Sequence, residues 1–203
     1  MNGEQYFERT PRSTQSGKSF DWNVDGKELH VDTAGGVFAK RGVDDGTEFL
    51  IERAPLPPKT GTGLDLGCGW GALTLALALR APQLHVWAVD VNERAVSLTT
   101  SNARRNGLEN VSAVLVDDLP AELTFDVIWS NPPIRIGKRQ LHELLRTWLT
   151  RLSPHGEAWL VVSRHLGADS LVEWLIAEGW QTDRVGSRHG YRLLQVRRAR
   201  GNA

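Results

Sequence analysis

Cysteine is almost absent. Cys68 is the only one in 203 residues, which excludes an intramolecular disulfide and any cysteine-cluster metal site. A reducing, cytoplasmic setting is therefore expected. Net charge is absent as well: 24 Lys and Arg balance 24 Asp and Glu, so no bulk attraction holds the whole molecule to nucleic acid or an anionic membrane. Long apolar runs are also missing. The longest, Ala72 to Leu79, contains Thr74 and falls far short of the ~18 residues that a membrane span requires. The polar start, Met1 to Lys18, does not read as a signal peptide. His30, His85, His142, His155, His165 and His189 show no metal-ligand spacing, and no metal is expected. There is no internal repeat, and the length suits one hydrophobic core, read as a monomer.

The zero net charge hides a polarity. Residues 1 to 133 carry 12 basic and 18 acidic groups, whereas residues 134 to 203 carry 12 basic and 6 acidic groups. Arg184, Arg188, Arg192, Arg197, Arg198 and Arg200 crowd the last twenty residues without one acid among them. They read either as an attractor for a polyanion or as a solvated tail.

Three stretches are distinguishable. Residues 1–19 have little to bury and read as a flexible arm. Residues 20–58 hold a hairpin around Asp25-Gly26 and a helix over Val43 to Arg53, closed off by Pro55, Pro57 and Pro58. This segment is expected to pack on the main domain, residues 59–203. There, strand-like Gly63 to Gly67, Leu84 to Asp90, Val111 to Val116, Phe125 to Ser130 and Ala158 to Ser163 form five buried strands. They alternate with helix-like stretches from Gly71, over Glu93 to Asn106, over Lys138 to Leu152 and over Ala168 to Glu178. Such alternation predicts right-handed crossovers and a parallel sheet. After Gly179 it stops. Trp180 to Val185 and Tyr191 to Val196 follow as an antiparallel pair joined by Gly186 to Gly190.

The chemistry sits at strand ends. Leu64-Asp-Leu-Gly-Cys-Gly-Trp-Gly71 leaves the first buried strand and opens a helix, so Gly67, Gly69 and Gly71 let a nucleotide-like ligand approach the backbone, with Cys68 in the same loop. Gly67, Gly69 and Ala72 also satisfy the relaxed dinucleotide fingerprint, so glycine spacing leaves NAD open. Asp65, two residues before the first glycine, suits an ammonium and not a pyrophosphate, which favours the amino-acid end of S-adenosylmethionine. Asp90 ends the second buried strand, where a carboxylate accepts from both ribose hydroxyls in either cofactor class. Asp117 and Asp118 end the third, and Asp118 is preferred as acceptor for an adenine amino group.

Ser130-Asn131-Pro132-Pro133 ends the fourth strand at the same edge. The Asn131 amide oxygen and the Pro132 carbonyl can accept the two N–H groups of a conjugated amine and hold it in line with a methyl sulfonium. The prolines Pro132 and Pro133 restrain the turn. Orientation is then the main catalytic need, and no strong general base is required.

These residues resemble the class I S-adenosylmethionine-dependent methyltransferases, and within them the amine-methylating group with an N/D-P-P signature. The resemblance covers about residues 31 to 197. A closer match looks like the small-domain methyltransferases related to ribosomal RNA small subunit methyltransferase C, which act on the exocyclic amine of guanine. Gly36-Val-Phe-Ala-Lys-Arg-Gly-Val-Asp-Asp-Gly-Thr-Glu-Phe-Leu50 is similar to that family's GVFS-x-x-G-x-D-x-G segment, with Ala39 where serine is usual. This implies that Phe38 and the stretch Asp44 to Thr47 lie near the cofactor. Asn131-Pro-Pro-Ile-Arg-Ile-Gly-Lys138 and Gly190-Tyr-Arg192 resemble its single-domain archaeal and actinobacterial branch. Ile134 departs from the aromatic that usually follows the prolines, and the second, degenerate domain in front of the better-known bacterial members is not expected here. Ile134, Arg135 and Lys138 are then the candidates for substrate contact, with Arg139 and the C-terminal arginines beside them.

The expected fold is the α/β, Rossmann-like seven-stranded methyltransferase sheet, mostly parallel with an antiparallel C-terminal strand and helices on both faces. The expected cofactor is S-adenosylmethionine, and the expected partner is RNA, most plausibly ribosomal. Other readings are a protein glutamine-amide methyltransferase, an RNA-binding or assembly factor that methylates nothing, and a dehydrogenase.

Overall fold

The computed structural model describes residues 17–35, 37, 42–132 and 137–199. Of the arm read over residues 1–19, only 17–19 fall within these, and Ser19 opens the first strand.

Strands β1 (Ser19–Val24) and β2 (Lys27–Asp32) pair antiparallel, with Asp25 (φ 51°) and Gly26 (φ 82°) as the turn. Both turn residues are left-handed, as a two-residue hairpin on twisted strands requires. Helix α1 is Asp45–Arg53, two residues shorter than its apolar spacing predicts. The reason is Asp44, which takes an extended conformation and caps the helix, its carboxylate accepting the N–H groups of Gly46 and Thr47 at 3.0 and 3.3 Å.

The main sheet then assembles from β3 (Thr60–Leu66), α2 (Ala72–Arg80), β4 (Gln83–Asp90), α3 (Glu93–Arg105), β5 (Val111–Leu115), β6 (Phe125–Ser130), α4 (Lys138–Leu149), β7 (Leu152–Ser163), α5 (Ala168–Ala177), β8 (Trp180–Arg188) and β9 (Tyr191–Arg198). Its order is β5-β4-β3-β6-β7-β9-β8. All pairs from β5 to β7 are parallel, and β9 runs antiparallel to both its neighbours. Period-two alternation sorts the side chains. Val127, Trp129, Trp159 and Val161 face one core with α1, α2 and α3. Ile128, Ala158, Leu160 and Val162 face the other with α4 and α5.

Boundaries differ from the sequence expectation in three informative places. Helix α4 stops at Leu149, and β7 starts at Leu152, six residues before Ala158. Ser153-Pro-His-Gly156 has a turn's composition, yet it forms a bulge against β6, where pairing steps from Phe125 with Leu152 to Val127 with Glu157. The loop read over Gly186 to Gly190 shrinks to His189 (φ 47°) and Gly190 (φ 82°), because this left-handed pair closes a tight hairpin and β8 continues past a register shift between Arg184 and Gly186. Strand β5 lies at the sheet edge and is half-buried along its length, unlike the four central parallel strands.

From β3 the chain winds outward through α2 to β4 and α3 to β5. It then returns to β6, beside β3, and winds the other way through α4 to β7. The crossover direction reverses between β3 and β6. Their carboxyl ends therefore leave a crevice, the place where ligands bind in open α/β sheets.

Candidate active site

Two segments meet at that crevice: the turn Gly67–Gly71 after β3, and Asn131-Pro132 after β6. In the turn, Gly67 (φ 81°), Gly69 (φ 58°) and Gly71 (φ 100°) are all left-handed. Gly71 is also close-packed, since a Cβ there stands 3.1 Å from the Thr99 side chain. The N–H groups of Gly67 and Cys68 donate to the Val89 carbonyl at 2.9 and 3.0 Å, tying the loop to β4. Cys68 is buried, with its sulfur 3.4 Å from the Thr99 hydroxyl, and burial pushes its thiol well above the ordinary range. Its side chain is thus a wall of the loop and no nucleophile.

Asp90 holds the loop from the other side. One carboxylate oxygen accepts the Gly69 N–H at 3.1 Å and the other the Asn92 N–H at 3.0 Å. The Val91 N–H donates to this carboxylate as well. Burial raises its pKa, against the lowering effect of these backbone donors.

Asp65 is 1% exposed. Its Oδ2 accepts from both the N–H (2.9 Å) and the hydroxyl (2.6 Å) of Thr74, while its Oδ1 is buried without a hydrogen-bond partner. Burial dominates and lifts the carboxyl to about 7, with the Thr74 bonds opposing and the Asp90 charge adding to it. An orphaned carboxylate oxygen beneath a glycine turn is a costly arrangement unless a cationic group completes it. The donor set fits S-adenosylmethionine. Asp65 would take its ammonium, the glycine turn would pass its backbone, and Asp90 would accept its ribose hydroxyls.

Asn131 is half-buried, and its amide nitrogen is fully engaged. It donates to Asp44 Oδ1 at 3.1 Å, to Asp44 Oδ2 at 3.3 Å and to Thr47 Oγ1 at 3.0 Å. The residue before it, Ser130, is fully buried and donates from its hydroxyl to the Leu66 carbonyl at 2.7 Å, clamping β6 to β3 just beneath the site. The crevice thus brings together Asp65, Gly67, Cys68, Gly69, Gly71, Asp90, Asn131 and Pro132, with Thr47 from α1. The Thr47 hydroxyl serves Asn131, a contact that residue spacing does not reveal. Asp118 lies on an exposed short turn after β5, at the same edge and next to the strand that carries Asp90. Lys138 is exposed at the start of α4. Phe38, Pro133, Ile134 and Arg135 lie outside the described residues.

Five of the six C-terminal arginines lie in strands β8 and β9 and have partners there, so they do not form a free tail. Within β8 and β9, Arg184 and Arg192 reach Asp169 at 3.6 Å, Arg188 meets Glu48 and Glu52, and Arg197 meets Asp183 at 2.5 Å. Arg198 donates to the Thr150 and Leu152 carbonyls at 2.8 Å. Arg200 lies outside the described residues. The packing of α1 and α5 against β8 and β9, and the β8–β9 pairing itself, bring acids to Arg184, Arg188, Arg192 and Arg197, contacts that composition alone does not reveal. By contrast, Lys138, Arg139 and Arg164 are exposed at the carboxyl edge of β6 and β7, and among the described residues no carboxylate lies in ion-pair contact with them. On the hairpin, Asp21, Glu28 and His30 bring ligand atoms within 4.8 Å of one another, all exposed. Among the described residues no helix is long and apolar enough to cross a membrane.

A Rossmann-like sheet in this strand order, with one antiparallel strand slipped in beside the last parallel one, is the methyltransferase fold. More narrowly, residues 28–195 match the family described as methyltransferase small domain, and the chain belongs to that family. It is similar to the uncharacterised protein YbxB of Bacillus subtilis (strain 168), 32% identical over 198 residues, 96% of this chain and 98% of that one. Ribosomal RNA small subunit methyltransferase C of Salmonella typhi is 30% identical over 201 residues, which cover 96% of this chain and 57% of the relative. The T. thermophilus 16S rRNA N2 G1207 methyltransferase (RsmC), solved with AdoMet and guanosine, superposes with a TM-score of 0.77 at 26% identity, covering 93% of this chain and 52% of that one. The chain thus spans about half the length of the ribosomal RNA methyltransferases it matches.

Proposed function

We propose that this protein transfers a methyl group from S-adenosylmethionine to an exocyclic amine, that of guanine in ribosomal RNA. The observation that carries the reading is the Asn131 side chain. Its nitrogen is spent on Asp44 and Thr47, so its oxygen is the atom left to accept from a substrate. With the Pro132 carbonyl it forms a pair of acceptors, which an amine with two N–H groups satisfies and a hydroxyl does not. The cofactor supplies an already activated methyl. The chain's own part is to hold the amine in line and to let the proton leave to water once nitrogen has become cationic.

Asp118 would accept from the adenine amino group, and Phe38 and Thr47 would border the cofactor. For the nucleic acid, Lys138, Arg139 and Arg164 offer cations beside the crevice, while the acids Asp65, Asp90 and Asp118 occupy the cofactor half of the same edge. Ile134 and Arg135 would continue the substrate side. The relatives named as ribosomal RNA methyltransferases favour RNA over a protein amide as acceptor. The single buried cysteine suits a reducing, cytoplasmic setting.

The test is methyl transfer from labelled S-adenosylmethionine to unmodified ribosomal RNA, ribosomal particles, transfer RNA and release factor in parallel. Nucleosides and peptides are then analysed by mass. Methylguanosine from one RNA is the expected product. Methylglutamine would move the acceptor to protein, and binding of the cofactor without any transfer would favour a factor that retains the fold and no activity.

A further inference from the structure

The Asn131 amide has two faces of opposite chemistry, and only one suits an amine. An oxygen toward the crevice accepts N–H, whereas a nitrogen there presents N–H to N–H. Nothing in the Asn-Pro-Pro sequence selects between them, because rotating the amide by 180° leaves its shape unchanged. The selection comes from a residue 87 positions earlier.

We propose that Asp44 is a positioning residue whose carboxylate, with the Thr47 hydroxyl, locks the Asn131 amide so that its oxygen faces the acceptor amine. This rests on the amine-methylating reading above and explains how the site is set for it. A carboxylate has acceptors only, so both of its contacts to Asn131 must be N–H donations. Turning the amide over would bring its oxygen to 3.1 Å from Asp44 Oδ1, lone pairs against lone pairs. Asp44 is itself held. The same Oδ1 accepts the N–H groups of Gly46 and Thr47 at the start of α1, so the helix orients the carboxylate and the carboxylate orients the amide. Gly46 is part of this, since a Cβ there would stand 2.7 Å from the Tyr191 ring and 3.1 Å from Asp44 Oδ1. Helix α1 precedes the sheet in sequence, yet it supplies the reference direction for the reacting group.

Replacement tests separate this role from simple capping. Asn and Ser cap helices about as well as Asp. Asp44→Asn and Asp44→Ser should therefore keep cofactor affinity and melting temperature close to those of the parent, while kcat falls by about 10–100-fold as a misoriented amide loses its transition-state contact. Asn131→Asp alone faces two carboxylates at hydrogen-bond distance and should also lose kcat. The exchange Asp44→Asn with Asn131→Asp restores a donor at position 44 and an acceptor oxygen at position 131 without changing net charge. It should recover at least about tenfold of the loss of either single variant.

A second readout needs no substrate: the Asn131 side-chain amide protons, assigned by NMR, should exchange slowly with water in the parent and faster in Asp44→Ser. Unchanged kcat in Asp44→Asn, additive losses in the exchange variant, or unprotected Asn131 amide protons would each overturn the lock. Protected amide protons in a protein that methylates nothing would support the lock and overturn the activity it was argued to serve.

Discussion

Asp65 is the residue whose chemistry is most exposed to measurement. Its carboxyl in the folded protein titrates at about 7, above the ~3.9 of an unfolded aspartate. A raised acid favours the protonated native state, so its stabilising contribution is complete below the unfolded value and is lost as pH rises toward 7. A bound ammonium acts in the opposite sense by favouring the carboxylate. Cofactor affinity should therefore increase with pH by up to about tenfold per unit below pH 7 and fall again above about pH 8, where the cofactor's α-amino group loses its proton, with a proton released on binding at acid pH. Calorimetry in buffers of different ionisation enthalpy reads both effects. Asp65→Asn should weaken binding and flatten the profile below pH 7, and a slope of opposite sign there would place the ammonium elsewhere. At the crevice's other wall, Asn131→Ala should keep cofactor affinity and lose transfer by several orders of magnitude, whereas Asp90→Ala should lose cofactor affinity first. Single-turnover kinetics beside equilibrium binding separates the two.

At the scale of elements, one side chain of α3 and that of its C-cap residue attach the leading hairpin. Asn102, fully buried, exchanges hydrogen bonds of 2.9 Å with the Asp32 backbone on both its N–H and its C=O, and donates to the Trp70 carbonyl at 2.8 Å. One turn on, Asn106 repeats the exchange with His30 at 2.9 Å. Each asparagine stands in for a short piece of strand, satisfying one edge of β2 from the side of a helix. Trp70 completes the joint, with Phe20 and Trp22 edge-on at 5.7 and 5.4 Å. Asn102→Ala leaves two backbone carbonyls and one N–H unsatisfied and should cost about 2–4 kcal/mol of unfolding free energy. Urea denaturation measures this, and a loss below about 0.5 kcal/mol would mean that water replaces the asparagine. Gly71→Ala should be destabilising through both its left-handed φ of 100° and the Thr99 contact, and should impair cofactor binding as well.

The whole molecule is divided electrically, though not as the count along the chain suggests. Arg184, Arg188, Arg192 and Arg197 meet acids at the surface of β8 and β9, and among the described residues Lys138, Arg139 and Arg164 have no carboxylate in ion-pair contact. If these meet phosphates, Lys138→Glu and Arg164→Glu should weaken RNA binding across sequences and reduce the slope of log K against log salt by about one per lost contact. Arg184→Gln and Arg197→Gln should leave that slope unchanged. Equal effects from both sets would return the RNA surface to the β8–β9 edge.

Much of this architecture was legible in the residue order. Periodicity and strand-end motifs are local properties, so the alternation of strands and helices, the glycine turn, Asp65, Asp90 and Asn131 could be read directly. The bulge at Ser153 to Gly156 could not, because a Pro-Gly composition looks the same whether the chain turns back or merely buckles against a neighbouring strand. Asp44 and Thr47 were visible only through resemblance to a family segment, and as neighbours of a cofactor. Their hold on Asn131 spans more than eighty residues and depends on where α1 docks.

The sequence by itself determined the parallel sheet and the ligand class of its crevice and singled out the Asn131 amide at the crevice's edge, since each follows from residue type at short spacing. Only the tertiary structure decided which way that amide points and which cations stay unpaired. Orientation and charge neutralisation are both settled by partners that folding brings from distant parts of the chain.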